Sequence, residues 1–311
     1  MSDVRIAVIG VGHLGKHHAR ILASLAGARL VAVVDINEAR AKDVAAQHGT
    51  RALTDSRAVL GDVDAVCVAV PTERHLDVAR PFLERGIATL VEKPIARSVE
   101  EADALVAAAE QGGAVLAAGH TERYNPAVQA SLPLVTTPRF VEVHRLGVFP
   151  ERSLDIDVVF DLMIHDLDVV SALVRSPVVS IEAVGIPVLT PRVDIANARL
   201  RFESGCIANI TASRISRDRV RKIRFFQPDA YISIDYAAKE VEAYRLARRD
   251  GQRPAIEGGK LPVPQDEPLA LELADFVAAA RERRQPMVTG EDGRRAVVLA
   301  DQITREIQAG M

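Results

Sequence analysis

The sequence predicts an α/β domain with a doubly wound parallel sheet, followed by an α+β domain with an open-faced, mainly antiparallel sheet. Up to residue 121, short apolar runs alternate with helical patterns, which indicates parallel strands joined by right-handed helical crossovers. Beyond that point, extended runs follow one another with turn residues between them, as in antiparallel sheets. We therefore predict one domain over residues 1–121 and a second over residues 122–311.

The first domain is predicted to contain strands and helices in strict alternation. The predicted strands are residues 4–10, 29–35, 63–70, 88–93 and 114–120. The predicted helices are residues 16–25, 38–49, 74–86 and 98–113. Gly49, Gly86 and Gly112 are placed to end three of these helices, and Ser98 with Glu101 has the spacing of a capping box.

The second domain is predicted to be rich in strands. Its extended runs are residues 138–147, 178–189, 196–215 and 220–246, with hairpin turns at 203–205 and 227–230. Helices are predicted at about 157–174, 268–284 and 291–308. The Pro- and Gly-rich residues 251–268 indicate a long surface loop. Because helices would cover one face of the sheet, we expect the open face to form a homodimer or homotetramer.

Composition excludes several classes of function. The chain has 311 residues, of which 48% are hydrophobic and 26% charged, as in ordinary globular proteins. A net charge of -3 gives no signature of nucleic-acid or membrane binding, and no apolar run is long enough to span a bilayer. The first residues do not resemble a signal peptide, so we expect a cytoplasmic protein. Cys67 and Cys206, in separate predicted strands, are interpreted as buried reduced thiols.

A glycine-rich loop follows the first predicted strand. Gly10, Gly12 and Gly15 have G-x-G-x-x-G spacing between a strand and a helix, and Asp35 ends the second strand. This arrangement is typical of Rossmann domains, in which the helix N-terminus holds a pyrophosphate and the acidic residue accepts hydrogen bonds from a ribose. Asp35 would repel a 2′-phosphate, which favours NAD over NADP, whereas Arg40 is the main argument for NADP.

Ligands of doubly wound sheets bind beyond the carboxyl ends of the strands. The residues that follow these ends complete the predicted cofactor site. They are His13, Leu14, Ile36, Pro71, Thr72, His75, Glu92 and Lys93.

The apolar run at 88–93 ends on two charged residues, Glu92 and Lys93, with Pro94 directly behind them. An ordinary surface ion pair does not explain why both charges end a buried strand. We therefore predict that Lys93 lies in the ligand crevice as a functional residue.

A second chemical pattern lies in the segment VFDLMIHDLDVV, residues 159–170. Asp161 and His165 are four residues apart, so on an α-helix they would share one face. A carboxylate beside an imidazole suits a general base that takes a hydroxyl proton. Apolar residues surround the pair, which indicates an internal site rather than a solvated surface. A metal site formed with His120 lacks a known ligand spacing, so we expect no metal.

In this order, GVGHLG, Asp35, the EKP of residues 92–94 and the D-x-x-x-H of Asp161 and His165 resemble the glucose-fructose oxidoreductase and inositol dehydrogenase family, Gfo/Idh/MocA. The resemblance covers essentially the whole chain. It implies a nicotinamide-dependent oxidoreductase in which Lys93 hydrogen-bonds the reacting hydroxyl and His165 acts as acid and base. Asp161 would support the substrate or His165, and Glu92 would help to hold the cofactor end of the strand in place.

The segments around residues 119–128, 159–170, 196–216 and 221–236 resemble a subgroup of this family that oxidises the 3-hydroxyl of UDP-N-acetylglucosamine, for the diamino sugar of lipid A. The residues expected at the substrate are His120, Arg123, Tyr124, Asn125, Arg152, Asp161 and His165. Asn125 could instead cap the helix that begins at Pro126. Arginines that could bind a diphosphate are Arg145, Arg152, Arg214, Arg217, Arg219 and Arg221. A run such as SRISRDRVRK, residues 213–222, is however more often a solvated strand end or loop.

Two alternatives to a nucleotide-sugar dehydrogenase stand at the sequence level. One is an enzyme of the same fold that acts on a free polyol, a sugar or another small carbonyl compound. The other is a catalytically silent NAD-binding sensor, against which the presence of Lys93, Asp161 and His165 together argues.

Overall fold

The computed structural model describes residues 3–149, 156–248 and 253–311. The chain divides into two units, one formed by residues 1–121 and 267–297 and the other by residues 122–266 and 298–311. The division after residue 121 coincides with the predicted boundary. Residues 267–297, which the sequence analysis assigned to the second domain, pack instead with the first unit.

The first unit contains a six-stranded parallel sheet in the order β3-β2-β1-β4-β5-β6, as predicted for a doubly wound fold. Its strands are β1 Val4–Ile9, β2 Ala28–Val34, β3 Arg51–Leu53, β4 Ala65–Val68, β5 Ala88–Glu92 and β6 Leu116–Gly119. Its first helices are α1 Gly15–Leu22, α2 Glu38–His48, α3 His75–Leu83 and α4 Val99–Gly112. The strand order reverses between β1 and β4, which places the topological switch point beside the glycine loop.

Local sequence signals explain several boundaries in this unit. The Ser98 side chain accepts a hydrogen bond from Glu101 N at 3.3 Å, which confirms the predicted cap of α4. Gly49 ends α2 in the left-handed conformation with a φ of 62°, as predicted. Gly113, rather than Gly112, has that role in α4, with a φ of 63°.

The second unit contains an eight-stranded sheet in the order β14-β13-β12-β11-β7-β10-β9-β8. All of its neighbouring strands are antiparallel except β7 and β10. The strands are β7 Phe140–Leu146, β8 Val178–Ile186, β9 Ile195–Phe202, β10 Ile207–Ser213, β11 Val220–Gln227, β12 Ala230–Asp235, β13 Glu240–Ala247 and β14 Ala255–Leu261. The helices are α5 Pro126–Ser131 and α6 Ile164–Val174.

Two C-terminal helices follow, α7 Pro268–Glu282 and α8 Gly290–Ala309. Helix α7 packs on α1 and β1 of the first unit, where Phe276 joins the hydrophobic core. The boundary between the two units falls within α8. Both helices lie close to their predicted positions.

Alternating burial gives the second sheet two different faces. On β7, Val141 and Val143 are fully buried, whereas the residues that alternate with them are only partly buried. Helix α5 packs against β12 and β13. One face therefore contributes to the core, and the other carries partly exposed side chains.

Two strands were absent from the sequence prediction. Strand β3 has three residues, too few to show a period, and it forms because its backbone pairs with β2. The predicted loop at 251–268 contains β14, which pairs antiparallel with β13. Gly258 has a φ of 137°, and a Cβ there would lie 2.0 Å from Ala243 O, so the glycine permits the close approach of the two strands.

The two cysteines are free and buried, as predicted. Burial raises the pKa of Cys67 well above its usual range and that of Cys206 to about 11. Both thiols are therefore held in their protonated, unreactive form.

Asp194 organises the loop between β8 and β9. Its carboxylate is fully buried and accepts hydrogen bonds from the backbone N–H groups of Val188, Leu189 and Thr190 at 2.9, 2.7 and 2.9 Å. The Thr190 hydroxyl donates to the other carboxylate oxygen at 2.8 Å. Burial alone would raise the pKa of Asp194, but these donors lower it to about 2.

We predict that Asp194→Asn lowers the free energy of unfolding at neutral pH by about 2 kcal/mol, since each unit of pKa shift corresponds to about 1.4 kcal/mol. Because the folded-state pKa lies below the unfolded value, this stabilisation is fully present above about pH 4. It is lost as the pH falls through about 2. Urea denaturation at several pH values should show the difference shrinking toward acid pH. Asp218→Asn, at an exposed position, is the control; equal stability of the two variants would contradict the assignment.

Candidate active site

The glycine loop after β1 has the shape that dinucleotide phosphates require. Gly10 has a φ of 84°, and a Cβ there would lie 2.6 Å from Ala69 O. A Cβ on Gly15 would lie 1.8 Å from Gly10 O, so both glycines are needed for the packing of the loop itself. Above Gly12, the nearest atom to a Cβ would be Arg40 Nη1 at 3.9 Å. The space at Gly12 is therefore open to a ligand, beside the start of α1.

Asp35 connects this loop to the end of β2. One of its carboxylate oxygens accepts a hydrogen bond from Val11 N at 3.0 Å. The other accepts from Asn37 N at 2.9 Å and from Arg40 Nη2 at 3.0 Å. A carboxylate has about four acceptor positions, so about one remains for a ribose hydroxyl. The next residue, Ile36, is 93% exposed.

The other residues predicted at the cofactor lie at this same carboxyl edge of the parallel sheet. His13 and Leu14 are exposed in the loop after β1. Pro71 is exposed and Thr72 is half-buried in the connection that follows β4. The topology therefore brings these predicted residues to one edge of the sheet.

His75 differs from the other predicted cofactor residues because it is 1% exposed. Its Nδ1 lies 2.9 Å from Pro94 O, and its Nε2 lies 3.0 Å from Val70 O. Burial lowers the pKa of His75, which favours the neutral ring. His75 therefore links the segments that follow β4 and β5.

Glu92 and Lys93 end β5, as the sequence predicted. Glu92 is 6% exposed, and its Oε1 lies 2.9 Å from Nε2 of His18 on α1. Its Oε2 accepts a hydrogen bond from Lys93 N at 3.1 Å. Although burial would raise the pKa of Glu92, His18 and Lys93 lower it below its usual value. Both oxygens of the Glu92 carboxylate thus bind groups of the protein, namely the His18 ring and the Lys93 backbone. The Lys93 side chain, by contrast, is only half-buried.

His18 is a residue of the site that the sequence analysis missed. Its partner Glu92 is 74 positions away along the chain, so no local pattern could show the contact. One weak signal existed, because His18 occupies the same helical face as Gly15 and Leu22, which are both buried. A histidine on the buried face of a helix needs a polar partner.

Asp161 and His165 lie in a segment whose geometry differs from the predicted α-helix. Val159–Met163 form a π turn, in which Ile164 N donates to Val159 O, and α6 begins at the next residue. Asp157 caps the segment by accepting from Val159 N at 2.9 Å. Such one-turn insertions are frequent at functional sites. Asp161 lies in the π turn and His165 in the first turn of α6, where its Nδ1 is buried.

A buried ionic cluster anchors α6 next to His165. Arg145 on β7 is 3% exposed, and its guanidinium contacts Asp166 at 2.6 and 3.1 Å and Glu122 at 3.2 Å. Burial raises the pKa of Asp166, whereas Arg145 opposes this shift. Arg123 forms a second ion pair with Asp168 at 3.1 Å. Two arginines thus fix the helix turn that carries His165.

The structure separates the six candidate arginines into different groups. Arg145 is occupied in the cluster described above, and Arg214 is 1% exposed and donates to Ile156 O and Val193 O. Neither is available to a diphosphate, contrary to the sequence-based hypothesis. Arg152 lies outside the described residues. The remaining candidates are exposed and have no ion pair among the described residues: Arg217, Arg219 and Arg221.

Three residues predicted to meet the substrate are buried: His120, Tyr124 and Asn125, with exposures of 1%, 5% and 3%. The Asn125 side chain accepts from Ala127 N at 3.0 Å, which caps α5. Its amide nitrogen donates to Tyr236 O at 3.1 Å and to Glu122 Oε2 at 3.3 Å. Through its side-chain oxygen, Asn125 therefore has the capping role that the sequence offered for it.

Two further properties concern the described residues as a whole. No group of three or more His, Cys, Asp or Glu side chains in ranges 3–149, 156–248 and 253–311 is arranged to hold a metal ion. In the same ranges, every helix is too short or too polar to cross a membrane.

Comparisons with known proteins agree with this geometry. Residues 4–120 match the oxidoreductase family with an NAD-binding Rossmann fold, and residues 99–227 match the GFO/IDH/MocA C-terminal domain. The chain is 38% identical over 313 residues to the UDP-N-acetylglucosamine 3-dehydrogenase of Acidithiobacillus ferrooxidans, covering 99% of both chains. It is 27% identical to an inositol 2-dehydrogenase of Rhizobium meliloti, covering 98% of this chain and 97% of the relative.

Solved structures show the same fold. A structure of the Acidithiobacillus ferrooxidans enzyme has a TM-score of 0.92 at 37% identity, covering 99% of both chains. Levoglucosan dehydrogenase in complex with NADH and levoglucosan has a TM-score of 0.88 at 19% identity, covering 100% of this chain and 98% of that one. From the glycine loop, the sheet topology and these matches, we conclude that the chain belongs to the GFO/IDH/MocA family of NAD-binding oxidoreductases.

Proposed function

We propose that this enzyme oxidises the 3-hydroxyl of UDP-N-acetylglucosamine to a ketone with NAD as the oxidant. The observation that carries the proposal is the 38% identity to a UDP-N-acetylglucosamine 3-dehydrogenase over the full length of both chains. Lys93, Asp161 and His165 are the proposed catalytic side chains. A nucleotide sugar and a nicotinamide dinucleotide are both cytoplasmic metabolites, so we propose a cytoplasmic enzyme.

The chemistry assigns each of these side chains a role. Bound NAD supplies the acceptor for the hydride that leaves carbon 3 of the sugar. The hydroxyl proton needs a separate acceptor, and the His165 imidazole is the proposed base. Lys93 donates a hydrogen bond to the hydroxyl oxygen and stabilises the negative charge that develops on it. Asp161 orients the substrate or His165.

The exposed arginines of the second unit support an anionic substrate. Arg221 lies opposite Arg145 in the register of β11 and β7, so the two side chains share a face of the sheet. Although the residue as a whole is exposed, desolvation of its guanidinium and the nearby Arg145 charge lower the pKa of Arg221, while Glu122 and Asp166 oppose the shift. A diphosphate would relieve this repulsion, and guanidinium groups bind phosphate oxygens well. We propose that Arg221 contacts the diphosphate, together with Arg217 or Arg219.

A free polyol is the second candidate substrate, favoured by the full-length match to an inositol 2-dehydrogenase at 27% identity. A polyol carries no charge and would leave the exposed arginines without an anion. The two candidates therefore differ in whether the diphosphate is needed for turnover.

We predict that stoichiometric enzyme and NAD give a single-turnover rise in NADH absorbance with UDP-N-acetylglucosamine but not with myo-inositol. Lys93→Met and His165→Ala should each lower the rate by about 100-fold or more, because general acid–base groups contribute about 10²- to 10⁴-fold. NAD affinity, measured by calorimetry, should change only a fewfold in both variants. Single-turnover conditions are needed because the NADH formed need not leave the enzyme.

Lys260→Met, at an exposed lysine of β14, is the matched control and should leave the rate unchanged. A rise in NADH absorbance with myo-inositol alone would show that the substrate is a polyol and not the nucleotide sugar. Silence with both compounds while NAD binds would refute the proposed substrate and favour the sensor. Near-normal turnover in Lys93→Met would refute the catalytic assignment.

We propose NAD rather than NADP as the cofactor because of the charge at the end of β2. The Asp35 carboxylate is buried and held by the glycine loop, so it cannot turn away from a 2′-phosphate. Arg40 is bound to Asp35 at 3.0 Å and is partly neutralised by it. The acidic side chain therefore dominates the choice.

We predict that wild-type enzyme has a higher kcat/KM with NAD than with NADP. Asp35→Ser should shift the NADP-to-NAD ratio of kcat/KM toward NADP by about tenfold or more, equivalent to about 1.4 kcal/mol. The ratio is the useful measurement, since damage to the loop affects both cofactors. The control is Asp35→Ser combined with Arg40→Ala, which should lose most of the gain. An unchanged ratio in Asp35→Ser would contradict the proposal.

We also propose that the open face of the second sheet forms a homodimer or homotetramer. Four rings form a ladder across β7, β11, β12 and β13: Phe140, Phe226, Tyr231 and Tyr244. Their neighbouring centroids lie 5.6, 5.3 and 6.3 Å apart. Phe226 and Tyr244 are 36% and 38% exposed. Aromatic side chains grouped in this way are typical of protein interfaces.

We predict that Phe226→Glu reduces the molar mass measured by light scattering after gel filtration, because the substitution places a charge in the apolar patch. Circular dichroism should show that the variant remains folded. Glu110→Lys, at an exposed position on α4, is the control and should keep the wild-type mass. A folded Phe226→Glu variant with unchanged mass would exclude this face as the interface.

A further inference from the structure

His18 lies on α1, the helix that begins at the glycine loop, and it is completely buried. Its Nε2 lies 2.9 Å from Glu92 Oε1. With Glu92 ionised, Nε2 carries the hydrogen and donates it to the carboxylate. His18 Nδ1 is also buried and has no hydrogen-bond partner among the described residues. The hydrogen bond to Glu92 therefore explains why a polar residue, His18, occupies this buried position.

Glu92 also contacts the backbone of Lys93. Its second oxygen accepts a hydrogen bond from Lys93 N at 3.1 Å, so one carboxylate joins α1 to the end of β5. On the other side of Lys93, Pro94 O lies 2.9 Å from His75 Nδ1. The backbone around Lys93 is therefore held before and after the residue by buried side chains.

The packing around Glu92 leaves its carboxylate little freedom. Gly119 on β6 is opposite Glu92 in the sheet register. A Cβ on Gly119 would lie 3.0 Å from Glu92 Cα and 3.1 Å from its Oε2. The Glu92 carboxylate therefore fits beside β6 only because residue 119 has no side chain. The close packing against Gly119 and the hydrogen bond to His18 together fix both carboxylate oxygens of Glu92.

From this geometry we propose that His18 is a positioning residue for Lys93. Through Glu92, His18 fixes the direction in which the end of β5 presents the Lys93 amine, and it links that amine to the helix at the glycine loop. Buried ionic contacts are not general stabilisers, because apolar replacements are often equally stable, whereas they can select one geometry. The inference rests on the proposed catalytic role of Lys93, and His18 itself acts only through Glu92.

The test compares three variants of α1. His18→Met removes the donor but keeps a similar volume, His18→Gln keeps a donor near the position of Nε2, and His17→Met controls for the loss of a neighbouring histidine. We expect His18→Met to lower kcat by about 10- to 100-fold while KM for the sugar and the Kd for NAD change only a fewfold. His18→Gln should recover most of the rate, and His17→Met should resemble wild type.

A second readout does not depend on turnover. The rate at which an amine reagent modifies Lys93, mapped by peptide mass spectrometry, should change in His18→Met but remain near the wild-type rate in His18→Gln. Lys16, exposed on the same helix, serves as the internal reference and should react equally in all variants. If wild-type enzyme turns over no UDP-sugar, the proposed function fails, while the labelling still tests whether His18 positions Lys93.

Several outcomes would overturn the inference. A folded His18→Met variant with normal kcat and normal Lys93 labelling would show that the contact is not needed. Equal losses of kcat and NAD affinity in His18→Met and His18→Gln would indicate a general packing role. If His18→Met fails to fold, Glu92→Gln replaces it, since this change keeps the shape and removes the charge. Unaltered kcat and labelling in Glu92→Gln would then refute the proposal.

Discussion

Buried carboxylates need hydrogen-bond donors, and in this structure three of these carboxylates lie in, or bind to, segments that carry candidate functional residues. Asp35 binds Val11 N in the glycine loop, and Glu92 binds Lys93 N. Asp166, which directly follows His165 in the chain, accepts hydrogen bonds from the Arg145 guanidinium. An unpaired charge in such positions would cost several kcal/mol, so each carboxylate allows few alternative arrangements of its neighbours. This requirement fixes loops that hydrophobic packing alone would leave less well defined.

The requirement also explains how the backbone around the candidate residues is set within each unit taken by itself. In the first unit, parallel pairing brings the ends of β1, β2, β4 and β5 to one edge, and the two acidic residues Asp35 and Glu92 then set the local backbone. In the second unit, the Arg145 cluster ties β7 to α6 and so determines where the first turn of α6 lies. In each unit the sheet determines the approximate position of these segments, and the buried charge determines their local backbone geometry.

Sequence reasoning succeeded where the physical cause was local. The alternation of apolar runs and helical patterns gave the parallel sheet, and the spacing of Ser98 and Glu101 gave the cap of α4. It failed for β3 and β14, whose strand character comes from pairing with β2 and β13 rather than from their own side chains. The π turn at Val159–Met163 was equally invisible, because it differs from an α-helix by one hydrogen-bond step and not by composition.

The candidate site shows the same limit at the level of side chains. Lys93, Asp161 and His165 could be named because their spacing and apolar surroundings are properties of short segments. Whether an arginine is free or occupied depends on distant residues: Arg145 is held by Asp166, 21 positions away, whereas Arg221 in the same register is exposed. The candidate arginines thus included both a structural group and a candidate for anion binding, and only burial and pairing separate them. For this reason the choice of substrate depends on side chains whose role no local pattern defines, while the reaction class depends on side chains that local patterns do define.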